Sequence, residues 1–141
     1  MPYSRTMSDT AVTTAPRPRW MTALALFCLG TVAFLVLRDL LVPDARDVEV
    51  WLGLELHGRG ALLTAPLHWA IFLVGAYGFW FQRAWILRTA AAYAFYVALS
   101  HLVWSGVSPK GHGWLAGLAL ALLLSVPGLL LLRAARGAAN G

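Results

Sequence analysis

The sequence predicts an all-α integral membrane protein, a bundle of four transmembrane helices with both termini in the cytoplasm. Hydrophobic residues make up 60% of the chain and charged residues only 12%, whereas about a quarter of an ordinary soluble domain is charged. The apolar residues lie in four long blocks, each near the length of about 20 residues that crosses a bilayer as a helix. The basic residues lie mainly at the ends of these blocks, which is typical of a polytopic membrane protein.

The chain begins with a polar stretch, residues 1–19, that is rich in Ser and Thr and ends in Ala-Pro-Arg-Pro-Arg. Two prolines this close together disfavour a helix, so we expect a flexible polar tail. An apolar block over residues 20–42 follows and ends before Pro43. It is longer than the apolar core of a signal peptide, which has about 7 to 15 residues, so we interpret it as a retained first span.

The first connection, residues 43–60, is acidic and amphipathic. Apolar side chains alternate with other residues from Val48 to Leu56, and this period of two favours an extended conformation. A single strand would have no partner for its backbone groups, so an amphipathic helix lying in the membrane interface is the alternative. The pattern does not choose between the two.

The second and third spans, residues 61–81 and 84–104, are joined by Gln82 and Arg83 alone. So short a connection predicts a tight antiparallel hairpin of two helices. His68 lies near the start of one arm and His101 near the end of the other. The hairpin would therefore bring both histidines to the same side of the bilayer.

A fourth apolar block, residues 114–132, follows a short connection rich in Gly, Pro and Ser. Its Gly117, Ala121 and Ser125 lie at four-residue spacing, which makes a small-residue face of the kind that lets membrane helices approach closely. We therefore expect one membrane domain over residues 20–134 and a C-terminal tail over residues 135–141.

The distribution of charge predicts the orientation of the bundle. In a four-span topology one side of the membrane receives most of the arginines, which are Arg5, Arg17, Arg19, Arg83, Arg88, Arg133 and Arg136. The acidic first connection falls on the opposite side. Because cytoplasmic segments carry the excess of basic residues, we expect both termini in the cytoplasm of a multi-pass protein of a bacterial inner membrane or a plasma membrane.

Three residues are candidates for catalysis. Ionisable groups within a span are costly and usually face a bundle interior, a cavity or a partner, which makes His68 and His101 the first choices. Glu55 or Asp47 could orient one of them for general acid–base chemistry on a membrane-soluble substrate. The alternative is that each histidine is a neutral imidazole near the interface, hydrogen-bonded to water, a hydroxyl or a backbone carbonyl.

A stripe of polar side chains follows one face of the third span. At about 100° per residue, the stripe comprises Thr89, Tyr93, Tyr96, Ser100 and Trp104. Hydroxyl groups in hydrocarbon prefer another helix or a ligand to lipid. Four side chains of this stripe are candidate contacts for a lipophilic molecule, namely Tyr93, Tyr96, Ser100 and Trp104. Trp69, beside His68, is a fifth candidate. Hydrogen bonding between helices is the alternative.

The sequence requires no cofactor. A zinc or copper site could draw on Glu49 or Glu55 and on the four histidines, which are His57, His68, His101 and His112. His68 with His101 could ligate a haem. No two histidines lie three or four residues apart, so any metal site would be assembled from separate segments. The single cysteine, Cys28, lies inside an apolar block and cannot form a disulfide within the chain.

Two classes of function are compatible with this sequence, which contains no phosphate loop, zinc-protease helix motif or nucleophile elbow. We narrowly favour an accessory or assembly subunit that docks on a larger membrane-protein partner through its small-residue and aromatic faces. The alternative is a small membrane enzyme or a binding protein for a lipophilic molecule, with its histidines in the outer half of the bundle. A cavity reached by both His68 and His101 would favour the alternative. The basic residues lie where they set topology, so we expect no nucleic-acid partner.

Overall fold

The computed structural model describes residues 16–42, 44 and 47–139, so most of the tail predicted over residues 1–19 lies outside the described residues. In the described part, the chain forms helices α1 (Arg19–Leu41), α2 (Arg59–Trp80), α3 (Ile86–Val107) and α4 (Trp114–Ala139), and strands β1 (Val48–Trp51) and β2 (Leu54–His57). All four helices are long and apolar enough to cross a membrane. This confirms the predicted number of helices and indicates a multi-pass membrane protein.

The last helix is longer than the span predicted for it. Helix α4 continues through Arg133 and Arg136 to Ala139, and so takes in residues 135–139 of the expected tail. The thickness of the bilayer's hydrocarbon core sets the length of the apolar segment. The hydrogen-bonded helix can continue beyond that segment.

The helices pack as two pairs, α1 with α2 and α3 with α4. Gly117 of α4 lies so close to α3 that a Cβ atom there would come within 2.7 Å of the Ser105 Cβ. Ala121, one turn further on, is also buried. In the other pair, a Cβ on Gly75 would lie 3.3 Å from the Cys28 Sγ. The small-residue face of the fourth span therefore packs against α3 of the same chain, as small residues between membrane helices generally do.

Helices α2 and α3 meet at the turn between them and share little contact beyond it. At the turn, a Cβ on Gly78 would lie 2.6 Å from the Ile86 Cδ1. A cluster of buried apolar residues surrounds this region and comprises Ala25, Cys28, Ala76, Phe79, Ile86, Leu87 and Ala135. The connection comprises residues 81–85 rather than the two residues predicted. The two arms make few contacts with each other, whereas β1 contacts α2 and β2 contacts both helices.

The alternating stretch of the first connection forms a β-hairpin rather than an interfacial helix. Its strands are antiparallel and are joined by Leu52 and Gly53, which have positive φ angles of 51° and 80°. Positive φ at both central residues is what a two-residue type I′ turn requires. Each strand thereby gains the backbone partner that a single strand would lack.

The turn also decides which way the two glutamates of the hairpin face. In one straight strand Glu49 and Glu55 would share a face, because they are an even number of residues apart. The observed register pairs Glu49 with Leu56 and Val50 with Glu55. Since neighbouring positions in a strand alternate between faces, the two carboxylates lie on opposite faces of the hairpin.

The bundle has two chemically different ends. At one end the Arg17 guanidinium lies over the Trp80 ring, 4.0 Å from its centroid, and donates a hydrogen bond of 3.0 Å to the Trp80 carbonyl. This contact brings the start of α1 to the end of α2. We call this end, which also holds the turn between α2 and α3, the basic end. The opposite end holds both strands and is the hairpin end.

Candidate functional site

A buried polar cluster joins α1, β1 and α2 at the hairpin end. Arg38, in the last turn of α1, pairs with the neighbouring Asp39 at 2.6 Å and with Glu49 of β1. Glu49 also forms a hydrogen bond of 2.8 Å with the Nδ1 atom of His68. Trp69 donates its indole N–H to Asp39 at 3.0 Å. Both carboxylates are only 4% exposed, so each is satisfied by protein partners rather than by solvent.

The cluster fixes the orientation of His68. An ionised Glu49 can only accept, so the Nδ1 atom of His68 carries the proton of their hydrogen bond. The other ring nitrogen, Nε2, is thereby left for chemistry. Trp51 stacks on the His68 ring at a centroid distance of 4.2 Å and an interplanar angle of 15°.

A cavity of about 410 Å³ lies beside this cluster. We call it the histidine cavity, and it is lined by Val50, His68, Tyr93, Tyr96, Val97, Ser100, His101 and Trp104. It contains both candidate histidines and the four polar residues of α3 that were predicted to contact a lipophilic molecule. Besides side chains of α2 and α3, Val50 of β1 forms part of its wall.

Several polar atoms of the histidine cavity have no hydrogen-bond partner in the described structure. His101 Nε2 and Ser100 Oγ are both buried and unpaired, as is Nε1 of the adjacent Trp51. By contrast, the Tyr96 hydroxyl accepts a hydrogen bond of 3.1 Å from the Leu52 backbone N–H. A buried polar group left unpaired costs about 1–3 kcal/mol. A ligand with its own hydrogen-bonding group could recover this energy.

Two other candidates lie outside the histidine cavity. Glu55 accepts hydrogen bonds of 2.8 Å from Trp104 Nε1 and of 2.8 Å from Ser108 Oγ, so it ties β2 to the end of α3. Trp69 is held by Asp39 within the polar cluster. Glu49 is therefore the carboxylate that contacts a candidate histidine.

The other two histidines differ from His68 and His101 in their surroundings. The His57 side chain is 64% exposed, with its Nε2 atom 3.6 Å from Glu55. His112 lies in the connection between α3 and α4, where it meets the Trp104 ring edge to face at 6.5 Å. Within the part of the chain that the structure describes, no group of three or more His, Cys, Asp or Glu side chains could hold a metal ion.

Three members of the site were not identified from the sequence, namely Arg38, Asp39 and Trp51. Asp39 lies inside α1, before the acidic connection over residues 43–60 begins. The available signal was an adjacent Arg-Asp pair within the last turn of an apolar helix, where charges require partners. Nothing in the sequence surroundings of Trp51 indicates a stacked histidine.

Glu55 gives the hairpin a pH-dependent attachment. Hydrogen bonds from Ser108 and Trp104 lower the pKa of the Glu55 carboxyl below its usual value of 4.5, and the charges of Lys110 and His57 add to this effect. A lowered pKa in the folded state stabilises the fold above the unfolded-state pKa, and this contribution is lost as the pH falls through the folded-state pKa.

We therefore expect wild-type protein to lose thermal stability relative to Glu55→Gln as the pH is lowered from 6 through the usual glutamate pKa of 4.5 and below. Glutamine keeps an acceptor oxygen but does not titrate. Melting curves of both proteins across this range check the expectation. Parallel pH profiles would show that Glu55 does not contribute in this way.

The chemistry available at the histidine cavity is hydrogen bonding and proton transfer by two imidazoles within largely apolar walls. Comparisons with protein-family models, with curated proteins and with solved structures return no match for this chain. Its function is therefore inferred from the geometry of the site.

Proposed function

We propose that this chain is a membrane protein that binds a lipophilic small molecule in the histidine cavity. The observation that carries the proposal is that His68 and His101, which come from different helices, line one cavity of about 410 Å³. Small-molecule sites typically have volumes of about 300–1,000 Å³, apolar and aromatic walls, and a few placed polar groups. The walls formed by Val50, Val97 and Tyr93 with the polar His101 agree with this description.

The unpaired atoms support binding rather than a purely structural role. Ser100 Oγ and His101 Nε2 are buried without partners, whereas the alternative interpretation required them to be satisfied by other helices. Four side chains of the polar stripe on α3 line the histidine cavity, namely Tyr93, Tyr96, Ser100 and Trp104. A hydroxyl or carbonyl group on the ligand would provide the missing hydrogen bonds.

The same site is suited to proton transfer, if the ligand is a substrate. Glu49 holds the Nδ1 atom of His68 at 2.8 Å, and a carboxylate in this position orients an imidazole. Glu49 would then take the positioning role that the sequence suggested for Glu55. In this version His68 and His101 are the acid and base.

We further propose that the hairpin end lies outside the cytoplasm, in a bacterial inner membrane or a plasma membrane. The described arginines near the basic end support this orientation, and they are Arg17, Arg19, Arg83, Arg88, Arg133 and Arg136. Basic residues favour the cytoplasmic side. The histidine cavity would then open near the outer surface.

The role of an accessory subunit stays a prediction. It relied partly on the small-residue face of the fourth span, and Gly117 of that face is already buried against Ser105 of the same chain. A protein partner would have to use other surfaces. Co-purification in mild detergent with a partner of fixed stoichiometry would support this role.

The binding proposal is tested by extracting what the purified protein carries. We expect wild-type protein in mild detergent to release, on denaturation, a small lipophilic molecule detectable by mass spectrometry. His101→Ala should retain at least about tenfold less of it, because the loss of about 1.4 kcal/mol or more of hydrogen-bonding energy lowers affinity by that factor.

The matched control is His57→Ala, which alters an exposed histidine outside the cavity and should retain the wild-type amount. Melting temperatures of the three proteins separate loss of binding from loss of fold. A folded wild-type protein that releases nothing, or equal amounts from both variants, would contradict the proposal.

A further inference from the structure

A second, larger cavity lies between the two helix pairs. It has a volume of about 590 Å³, and residues of all four helices contribute to its walls, including Phe27 of α1, Ile71 of α2, Ala90 of α3 and Leu131 of α4. These walls are almost entirely hydrocarbon. We call this space the apolar cavity. It offers van der Waals contact and almost no hydrogen bonding.

The apolar cavity adjoins the histidine cavity. Tyr93 of α3 lines both, so the two spaces meet at its ring. Trp51 of β1 forms part of the boundary as well, since it lines the apolar cavity and stacks on His68, which lines the other. One molecule with a polar and an apolar part could therefore occupy both spaces.

The apolar cavity also reaches the outer surface of the bundle. Phe27 of α1 and Leu67 and Val74 of α2 line it, and they are 64%, 52% and 52% exposed. In a bilayer these side chains meet lipid. A hydrocarbon chain could thus enter sideways from the membrane, without passing through water.

The lining of the histidine cavity restricts the charge of the polar group. None of its lining residues is Lys, Arg, Asp or Glu, and Arg38 and Glu49 of the neighbouring cluster already pair with each other. An ionised group placed there would be buried without a direct counter-charge, which is costly. An uncharged hydroxyl or carbonyl can instead pair with Ser100 and His101 at no such cost.

We propose that the ligand is an uncharged amphiphile. Its hydroxyl or carbonyl head binds in the histidine cavity, and its hydrocarbon tail passes Tyr93 into the apolar cavity. The inference rests on the proposed function and adds the class of molecule and its direction in the site. The tail should contribute to affinity in proportion to the apolar surface that it buries.

The test uses hexadecanol that carries a photoreactive diazirine at the end of its chain. With wild-type protein in lipid nanodiscs, the cross-linked peptides should come from the α1 and α2 walls of the apolar cavity, around Phe27 and Ile71. Labelling concentrated on the lipid-facing side of α4, around the exposed Leu115 and Leu122, would overturn the proposal, whatever the behaviour of the variants.

Two substitutions of the same kind separate a filled cavity from a changed surface. Ala70 lines the apolar cavity and is exposed, so Ala70→Phe should occupy the space of the tail and lower labelling at least tenfold. Ala92 is exposed on α3 and lines neither cavity. Ala92→Phe should leave labelling unchanged. Equal labelling of the two variants would overturn the tail position.

The head group is tested separately. Ser100→Val and His101→Ala should each lower labelling by the hexadecanol probe, and the corresponding hexadecanoate probe should label wild-type protein less than hexadecanol does. If the two head-group variants lose labelling while Ala70→Phe does not, the proposed function stands and the tail inference fails. If neither head-group variant has an effect, the proposed function fails as well. Equal labelling by hexadecanoate would contradict the uncharged head.

Discussion

Arg38→Met should lower the free energy of unfolding by about 3–5 kcal/mol, the usual cost of removing one partner from a buried ion pair. Asp39 and Glu49 are each 4% exposed, and both pair with the Arg38 guanidinium. Without it, two carboxylates remain buried, and their remaining partners among the described residues are Trp69 and His68. Equilibrium unfolding in mixed micelles measures the loss.

A matched control and a rescue make this expectation specific. Arg88→Met removes an exposed arginine near the start of α3, so it should change stability by no more than about 0.5 kcal/mol. Adding Asp39→Asn and Glu49→Gln to Arg38→Met removes both uncompensated charges and should restore much of the stability. A loss no larger than that of the Arg88 variant would show that the cluster does not hold α1 to β1.

Gly53→Ala should loosen the hairpin from α3. A Cβ at this position would lie 2.5 Å from the Val103 Cβ, 2.6 Å from the Ser100 carbonyl oxygen and 2.8 Å from the Trp104 backbone nitrogen. Two of these atoms belong to the α3 backbone, which cannot move without distorting the helix. The positive φ of 80° at Gly53 adds strain of about 1–3 kcal/mol for any other residue. Amide hydrogen exchange should show faster exchange in β1 and β2.

Gly58→Ala separates the clash from the backbone strain. Gly58 also has a positive φ, 56°, but nothing lies within 4 Å of a Cβ placed there. We expect the Gly58 variant to lose stability through strain alone, and the Gly53 variant to lose more and to bind less ligand. Equal effects of the two substitutions would mean that close packing of the turn on α3 contributes little.

The β-hairpin directly contacts the residues that line the histidine cavity. The Leu52 N–H, next to Gly53, donates to the Tyr96 hydroxyl at 3.1 Å, and Val50 of β1 lines the histidine cavity. Loss of the hairpin would therefore remove one wall of the site.

The sequence predicted much of the candidate site through helical periodicity. Regular spacing on α3 placed Tyr93, Tyr96 and Ser100 on one face, and the structure places all three on the cavity wall. A short turn between α2 and α3 brought His68 and His101 to the same end. These arguments needed only local geometry, because a helix has a fixed rotation per residue.

The position of the hairpin was not predictable in the same way. The alternating pattern from Val48 to Leu56 is consistent with one strand or with two. Whether the chain folds back at Leu52 and Gly53 depends on whether each strand can pack against a helix. Such packing is a contact between residues far apart in the sequence. Gly53 in the middle of the stretch was the signal that could have indicated a turn.

By itself the sequence determined four apolar helices, the two ends of the bundle and the shared location of His68 and His101, because length, apolarity and spacing act along the chain. Only the tertiary structure decided that a β-hairpin packs against α2 and α3 and that Glu49, rather than Glu55, meets His68. The physical reason is the register of the strands. Folding the stretch back on itself placed the two glutamates on opposite faces, so one reached α2 and the other α3.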